Sequence, residues 1–121
     1  MVSSIVGEKS FVFATRIVKL YKYLVSEKFE YVMSKQLLRS GTSIGANVRE
    51  ALQAQSKRDF LSKISIALKE ATETQYWIEL LHVSEYIGDL EKASIWNDCD
   101  VLVRLLVTIT KTTKRNINNE A

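Results

Sequence analysis

Two glutamates one helical turn apart, Glu70 and Glu73, and a Glu-x-x-His run, Glu79-Leu80-Leu81-His82, are the residues best suited by type and spacing to chemistry. Paired carboxylates can trade a proton or hold a hard cation. A di-metal bundle, however, takes a Glu-x-x-His run from each of two helices, and His82 is the only histidine in the sequence. It is therefore expected at the edge of a core. Cys99 is likewise the only cysteine, so neither an intrachain disulfide nor a cysteine zinc cluster can form. Lying among Trp96, Leu102 and Val103 at helical spacing, it reads as a small buried hydrophobe. No nucleophile–base pair, metal cluster or cofactor fingerprint emerges. The chain is expected not to be an enzyme and to need no cofactor.

A second candidate is Ser40-Gly41-Thr42-Ser43-Ile44-Gly45-Ala46-Asn47-Val48-Arg49-Glu50, with two glycines four apart. A phosphate-binding loop sets its glycines between a strand and a helix, followed by lysine and a hydroxyl. No strand pattern precedes this segment and no Gly-Lys-Ser/Thr follows it. Each glycine costs about 1 kcal/mol of helix propensity relative to alanine. Both lie on the apolar face between Leu37 and Val48, where a missing side chain lets another helix approach. The segment reads as a close-packing helix.

The periodicity of apolar residues supplies the elements that would hold these groups. Helices are expected over about 10–28, 34–54, 57–87 and 90–114. The first carries Phe11, Ala14, Ile17, Val18, Tyr21, Leu24 and Val25 at three- and four-residue steps. Ser34 is a plausible N-cap for the second, whose core face holds Leu37, Gly41, Ile44, Val48 and Leu52. Ser56 and Asp59 resemble a capping box for the third. Its main stripe is Phe60, Ile64, Ala67, Ala71, Thr74 and Ile78, with Ile66, Trp77 and Leu80 on another face. Gly88 and Asp89 then read as a stop and a fresh cap. The fourth helix would bury Trp96, Cys99, Leu102, Val103, Leu106 and Ile109, and the polar tail after it is expected to fray.

Short connections between four helices favour antiparallel neighbours, so the expected fold is all-α, an antiparallel up-down-up-down four-helix bundle. Its 121 residues form a single domain, 1–121, with no proline and four glycines to interrupt the helices. No run approaches the roughly 20 apolar residues that span a bilayer, and the start of the sequence lacks a signal-peptide pattern. No membrane association and a cytoplasmic location are expected. Surplus apolar residues on the third and fourth helices point to self-association, or to scattered surface residues.

Charge is unevenly placed. Residues 1–63 carry 11 Lys/Arg against 5 Asp/Glu, whereas residues 64–110 carry 3 against 8. Such asymmetry suits nucleic acid, an acidic partner, or pairing of one half of the fold with the other. Arg16, Lys19, Lys22, Lys35, Lys57, Arg58 and Lys63 are the candidate phosphate contacts. Tyr21 and Tyr23 stand close to them, but helical tyrosines more often serve a core or an interface. On the second helix Arg39, Ser43, Asn47 and Glu50 form a polar stripe opposite Gly41 and Gly45. With Glu70 and Glu73 they are expected to form a hydrogen-bond network, holding helix two against helix three or a neighbouring subunit.

The run Gln36–Leu81 closely resembles the 23S ribosomal RNA intervening-sequence family of four-helix-bundle proteins. The resemblance rests on Ser43-Ile44-Gly45-Ala46-Asn47-Val48, Glu50-Ala51, Ser56 with Asp59-Phe60, Ala67-Leu68-Lys69-Glu70-Ala71, Glu73-Thr74 and Tyr76-Trp77. Arg49 stands where that family often has a small residue. The resemblance implies a bacterial protein and a ring-shaped homo-oligomer, a pentamer. Accessory proteins of diversity-generating retroelements look related in shape and are similar to basic pentamers that engage nucleic acid and a reverse transcriptase. Two functions from different classes follow as expectations. One is a non-catalytic oligomer that binds RNA or DNA through basic faces; the other is an oligomeric scaffold for another protein.

Overall fold

The computed structural model describes residues 4–120, and all regular structure among them is helical. The two ends of the expected domain, 1–3 and 121, lie outside the described residues. The elements are α1 (Ile5–Ser26), α2 (Met33–Ala51), α3 (Lys57–Val83) and α4 (Asp89–Asn119). Each helix packs against its sequence neighbours, and α4 returns to α1 along a sparser seam. The result is a four-helix bundle. No helix among the described residues is long and apolar enough to cross a membrane.

The central helices follow the expected stripes. Leu37, Gly41, Ile44 and Val48 of α2 are buried, as are Ile64, Ala67, Ala71, Thr74 and Ile78 of α3. Leu52 is not; α2 ends at Ala51, which leaves it exposed in the turn. On α4 the core is Ile95, Cys99, Leu102, Leu106 and Thr113, with Trp96 only half-buried because its indole reaches outward to Glu79.

α1 departs furthest from the expected stripe. It starts at Ile5, where Ser4 caps it by accepting the Gly7 N–H at 2.9 Å, and it buries Val6, Ser10, Phe13, Ile17, Leu20 and Leu24. Phe11 is exposed and lies against the Arg49 guanidinium, 5.5 Å from its ring centroid. Two registers of apolar residues run along this helix. Both include Ile17, which a Cβ on Gly41 would approach to 2.8 Å; Gly45 selects the one that also brings Ser10 inward, since a Cβ there would stand 3.3 Å from the Ser10 carbonyl oxygen.

Three helix ends differ from expectation for identifiable reasons. Ser34 lies inside α2, and the carboxylate of Glu30 does the capping. It accepts the N–H groups of Val32 (3.1 Å), Met33 (3.0 Å) and Ser34 (2.6 Å). The stop after α3 is Glu85, at φ 68°, not Gly88. The Tyr86 N–H bonds the Leu81 carbonyl and the Glu85 N–H bonds that of His82, the paired bonds of a Schellman end. Gly88 is instead the N-cap of α4, without a side chain to contribute. The tail is helical: α4 runs to Asn119, with Thr113 buried and Lys57 2.9 Å from Glu120. Ser56 does cap α3, accepting the Asp59 N–H at 3.0 Å.

Candidate nucleic-acid interface

The seven cationic candidates divide by whether an acid already holds them. Arg16 on α1 reaches across the sparse seam, its two guanidinium nitrogens 2.7 Å from Asp98 and 2.8 Å from Glu91. Burial opposes its charge, but the bonds to Asp98 and Glu91 prevail and raise its pKa. Lys63 pairs with Glu50 at 3.1 Å, and Lys57 with Glu120. Arg16, Lys57 and Lys63 are thus engaged within the chain. Lys19, Lys22, Lys35 and Arg58 are exposed and have no ion pair among the described residues.

The same division runs through the acidic half. Glu91 and Asp98 are taken by Arg16, Asp100 by Arg104 at 2.9 Å, and Asp89 by His82 at 2.7 Å. Glu79 accepts the Trp96 indole N–H at 3.1 Å, so Glu79 and His82 turn to different partners despite their Glu-x-x-His spacing. Among the described residues no group of three His, Cys, Asp or Glu side chains gathers as metal ligands. Cys99 donates to the Ala71 carbonyl, and burial, reinforced by Asp100 and Asp98, pushes its thiol up to about 12. At neutral pH it is therefore a protonated core residue.

The polar stripe of α2 is split by direction. Arg39 crosses to α3, bonding Glu70 at 3.2 Å and also Glu73, whose carboxylate in turn accepts the Trp77 indole N–H at 3.0 Å. The bonds from Trp77 and Arg39 outweigh burial and lower the pKa of Glu73. Hydrogen bonding to Glu73, against a smaller desolvation cost, raises that of Arg39. Among the described residues Ser43 and Asn47 bond only within their own helix, to the carbonyls of Arg39 and Ser43. Glu50 reaches α3 through Lys63. Deeper in the same seam, the hydroxyls of Ser40 and Thr74 share a fully buried 2.9 Å hydrogen bond.

Gly41 and Gly45 bring α2 onto α1, with a Cβ on Gly45 meeting the Ser10 carbonyl at 3.3 Å. Two features carried no recognisable signal in the sequence. Glu30 is a buried acid ahead of a helix that the serine at 34 seemed to cap, and Phe29 beside it has φ 53°. A bulky residue there lacks the usual glycine or asparagine that marks a left-handed position.

A crystal structure of a protein of unknown function from the S23 ribosomal protein family of Bacteroides thetaiotaomicron is similar to this chain. It is 60% identical, with a TM-score of 0.88, and the alignment covers 88% of this chain and 99% of that one. A comparison with curated proteins gave no match. The profile of the 23S rRNA-intervening sequence proteins matches residues 3–108, nearly the whole bundle. By that match the chain belongs to the 23S rRNA-intervening sequence protein family.

Proposed function

We propose that this protein is a non-catalytic subunit of a homo-oligomeric ring, a pentamer, that binds RNA or DNA through its basic faces. The observation that carries this reading is the charge left over after internal pairing. Acids of α3 and α4 are engaged by Arg16, Arg39, Arg104 and His82. Lys19, Lys22, Lys35 and Arg58 keep theirs for solvent or for a partner. A ring repeats that surplus around its circumference, which raises avidity with no new contact per subunit.

Several contacts support the up-down-up-down connectivity within this proposal. Ser10 and Ile17 meet Gly45 and Gly41, while Arg39 and Glu50 meet Glu73 and Lys63. Self-association is supported by exposed apolar residues at the α1–α4 seam, where Val12 and Val101 line a cleft with Glu8, Lys9, Phe13, Asp98 and Leu102. The same surface favours a second reading, a scaffold that binds another protein there.

A titration against structured RNA and duplex DNA at several salt concentrations tests the first reading. Affinity that falls steeply and log-linearly with salt is the expected outcome. Negligible affinity for both at low salt would reject nucleic-acid binding and leave the scaffold. Sedimentation at working concentration tests the ring, and a lone 13.8 kDa particle would dismiss it.

A further inference from the structure

The connection between α1 and α2, Glu27-Lys28-Phe29-Glu30-Tyr31-Val32, is pinned by one residue. Glu30 is buried and fully engaged. Its N–H bonds the Leu24 carbonyl at 3.0 Å, its carbonyl accepts the Ser34 hydroxyl at 2.7 Å, and its carboxylate takes the N–H groups of Val32 and of the first two residues of α2. Burial would raise its pKa, yet those bonds from Ser34, Met33 and Val32 lower it, so the anchor stays charged. On either side of it Phe29 is 69% and Tyr31 51% exposed. Phe29 also holds φ 53°, a conformation that disfavours a side chain, and makes no ring contact among the described residues. Most of that ring is open to solvent. The hydrogen bonds of Glu30 enforce that backbone just past the end of α1, much as Glu85 takes φ 68° after α3.

The surroundings identify what would cover it. Lys22, Lys28 and Lys35 lie before, within and after the connection, are exposed, and have no ion pair among the described residues. Lysine is depleted from the buried centres of protein interfaces. Lysines interleaved with open aromatic faces suit single-stranded nucleic acid, whose bases stack on the rings while its phosphates meet the cations. We infer that the Phe29–Tyr31 tip is a stacking platform for unpaired bases, with Lys22, Lys28 and Lys35 as its phosphate contacts. Glu85 and Asp89 line the cleft that Lys28 shares with the α3–α4 turn. Lys22 and Lys35 do not line that cleft and set the path of the strand, which meets Lys28 at the cleft's edge. This inference rests on the nucleic-acid reading above and adds to it the class of strand and the site.

The test measures fluorescence anisotropy of the full chain with a labelled single-stranded RNA and with its duplex, at low salt. Phe29→Gly removes the ring and relieves the backbone, so the variant keeps its fold; Tyr31→Ala is added to it. The double variant should bind the single strand at least about tenfold more weakly, given the usual value of a base–aromatic stack, while duplex affinity stays the same. Lys22→Glu with Lys35→Glu should weaken both probes. Unchanged single-strand affinity in the aromatic variant overturns the platform and leaves the nucleic-acid reading standing. A fall in assembly mass in that variant overturns the platform too, by making the tip a contact between copies. If the unaltered protein binds neither probe, both the platform and the wider reading fail.

Discussion

Helix α1 is held on two sides by opposite means. Against α2 the seam is made by removing atoms: Gly41 and Gly45 give up their side chains, and Ile17 and Ser10 fill the space. Against α4 it is made by reaching, with Arg16 spanning to Glu91 and Asp98 beside an open cleft. The first seam is short-range and insensitive to salt, because it depends on excluded volume and dispersion. The second depends on charges that water and ions can screen. A helix held this way has one flank closed by packing and the other bridged by charge. That difference places the open surface, with exposed Val12 and Val101, at the α1–α4 side.

The largest break in this contrast comes from filling the dry seam. Gly41→Leu must displace the branched carbons of Ile17, which is fully buried and has nowhere to move. A loss of about 3 kcal/mol is expected, near the upper end for overpacking, and urea unfolding would measure it. Unchanged stability would show that the two helices are not in close contact.

Next comes the anchor of the hairpin that carries the dry seam. Glu30→Ala leaves three N–H groups at the start of α2 without their acceptor, and about 2 kcal/mol should be lost. The same residue sets an acid limb. Its folded pKa lies below its ordinary 4.5, so its contribution is complete above that value and fades as pH falls through the lower folded one. Thermal melts of Glu30→Gln should lack this part of the acid loss. An acid limb identical to that of the unaltered protein would assign it to other groups.

How far the sequence disclosed these features follows from their range. Gly41, Leu37, Ile44 and Val48, and the α3 stripe from Ile64 to Ile78, repeat at helical spacing, and periodicity alone placed them inward. Arg39 with Glu70 and Glu73 was legible as a matched polar stripe on adjacent helices. Arg16 was not: it read as an open cation because its partners lie 75 and 82 residues away, with no period to mark them. Phe11 and Phe13 both fit an amphipathic α1 and Ile17 fits with either; the position of Ser10 against Gly45 decides between them. The Glu30 cap and the left-handed Phe29 and Glu85 are backbone events that used uncharacteristic residue types. Of the candidate site, the cations could be counted in the sequence; which of them remain unpaired could not.

The wet seam should give a smaller and conditional effect. Arg16→Ala is expected to cost about 1 kcal/mol, since its side chain is 30% exposed and its partners are 47% and 56% exposed. Near 1 M salt, with a screening length of about 3 Å, most of that difference between variant and parent should vanish. A cost that persisted there would assign the contribution to packing of the arginine stem, and the two seams would then be alike in kind.

Gly45→Ala gives the smallest effect and the sharpest one, because two terms of similar size oppose each other. Alanine gains about 1 kcal/mol of helix propensity. Its Cβ, however, would stand 3.3 Å from the Ser10 carbonyl oxygen, so the backbone of α1 must yield by a few tenths of an ångström. Further along the seam, at Gly41, the obstruction is 2.8 Å from two carbons of one side chain, which is a stricter limit. The net change at Gly45 should stay within about 0.5 kcal/mol of zero, the balance of propensity against a slight overpacking. Matched unfolding curves for Gly45→Ala and Gly41→Ala, the latter the less stable, would then show a seam that tightens from Gly45 toward Gly41. A Gly45→Ala loss as large as that of Gly41→Ala would make the close contact uniform, with α1 docked as one rigid unit along α2.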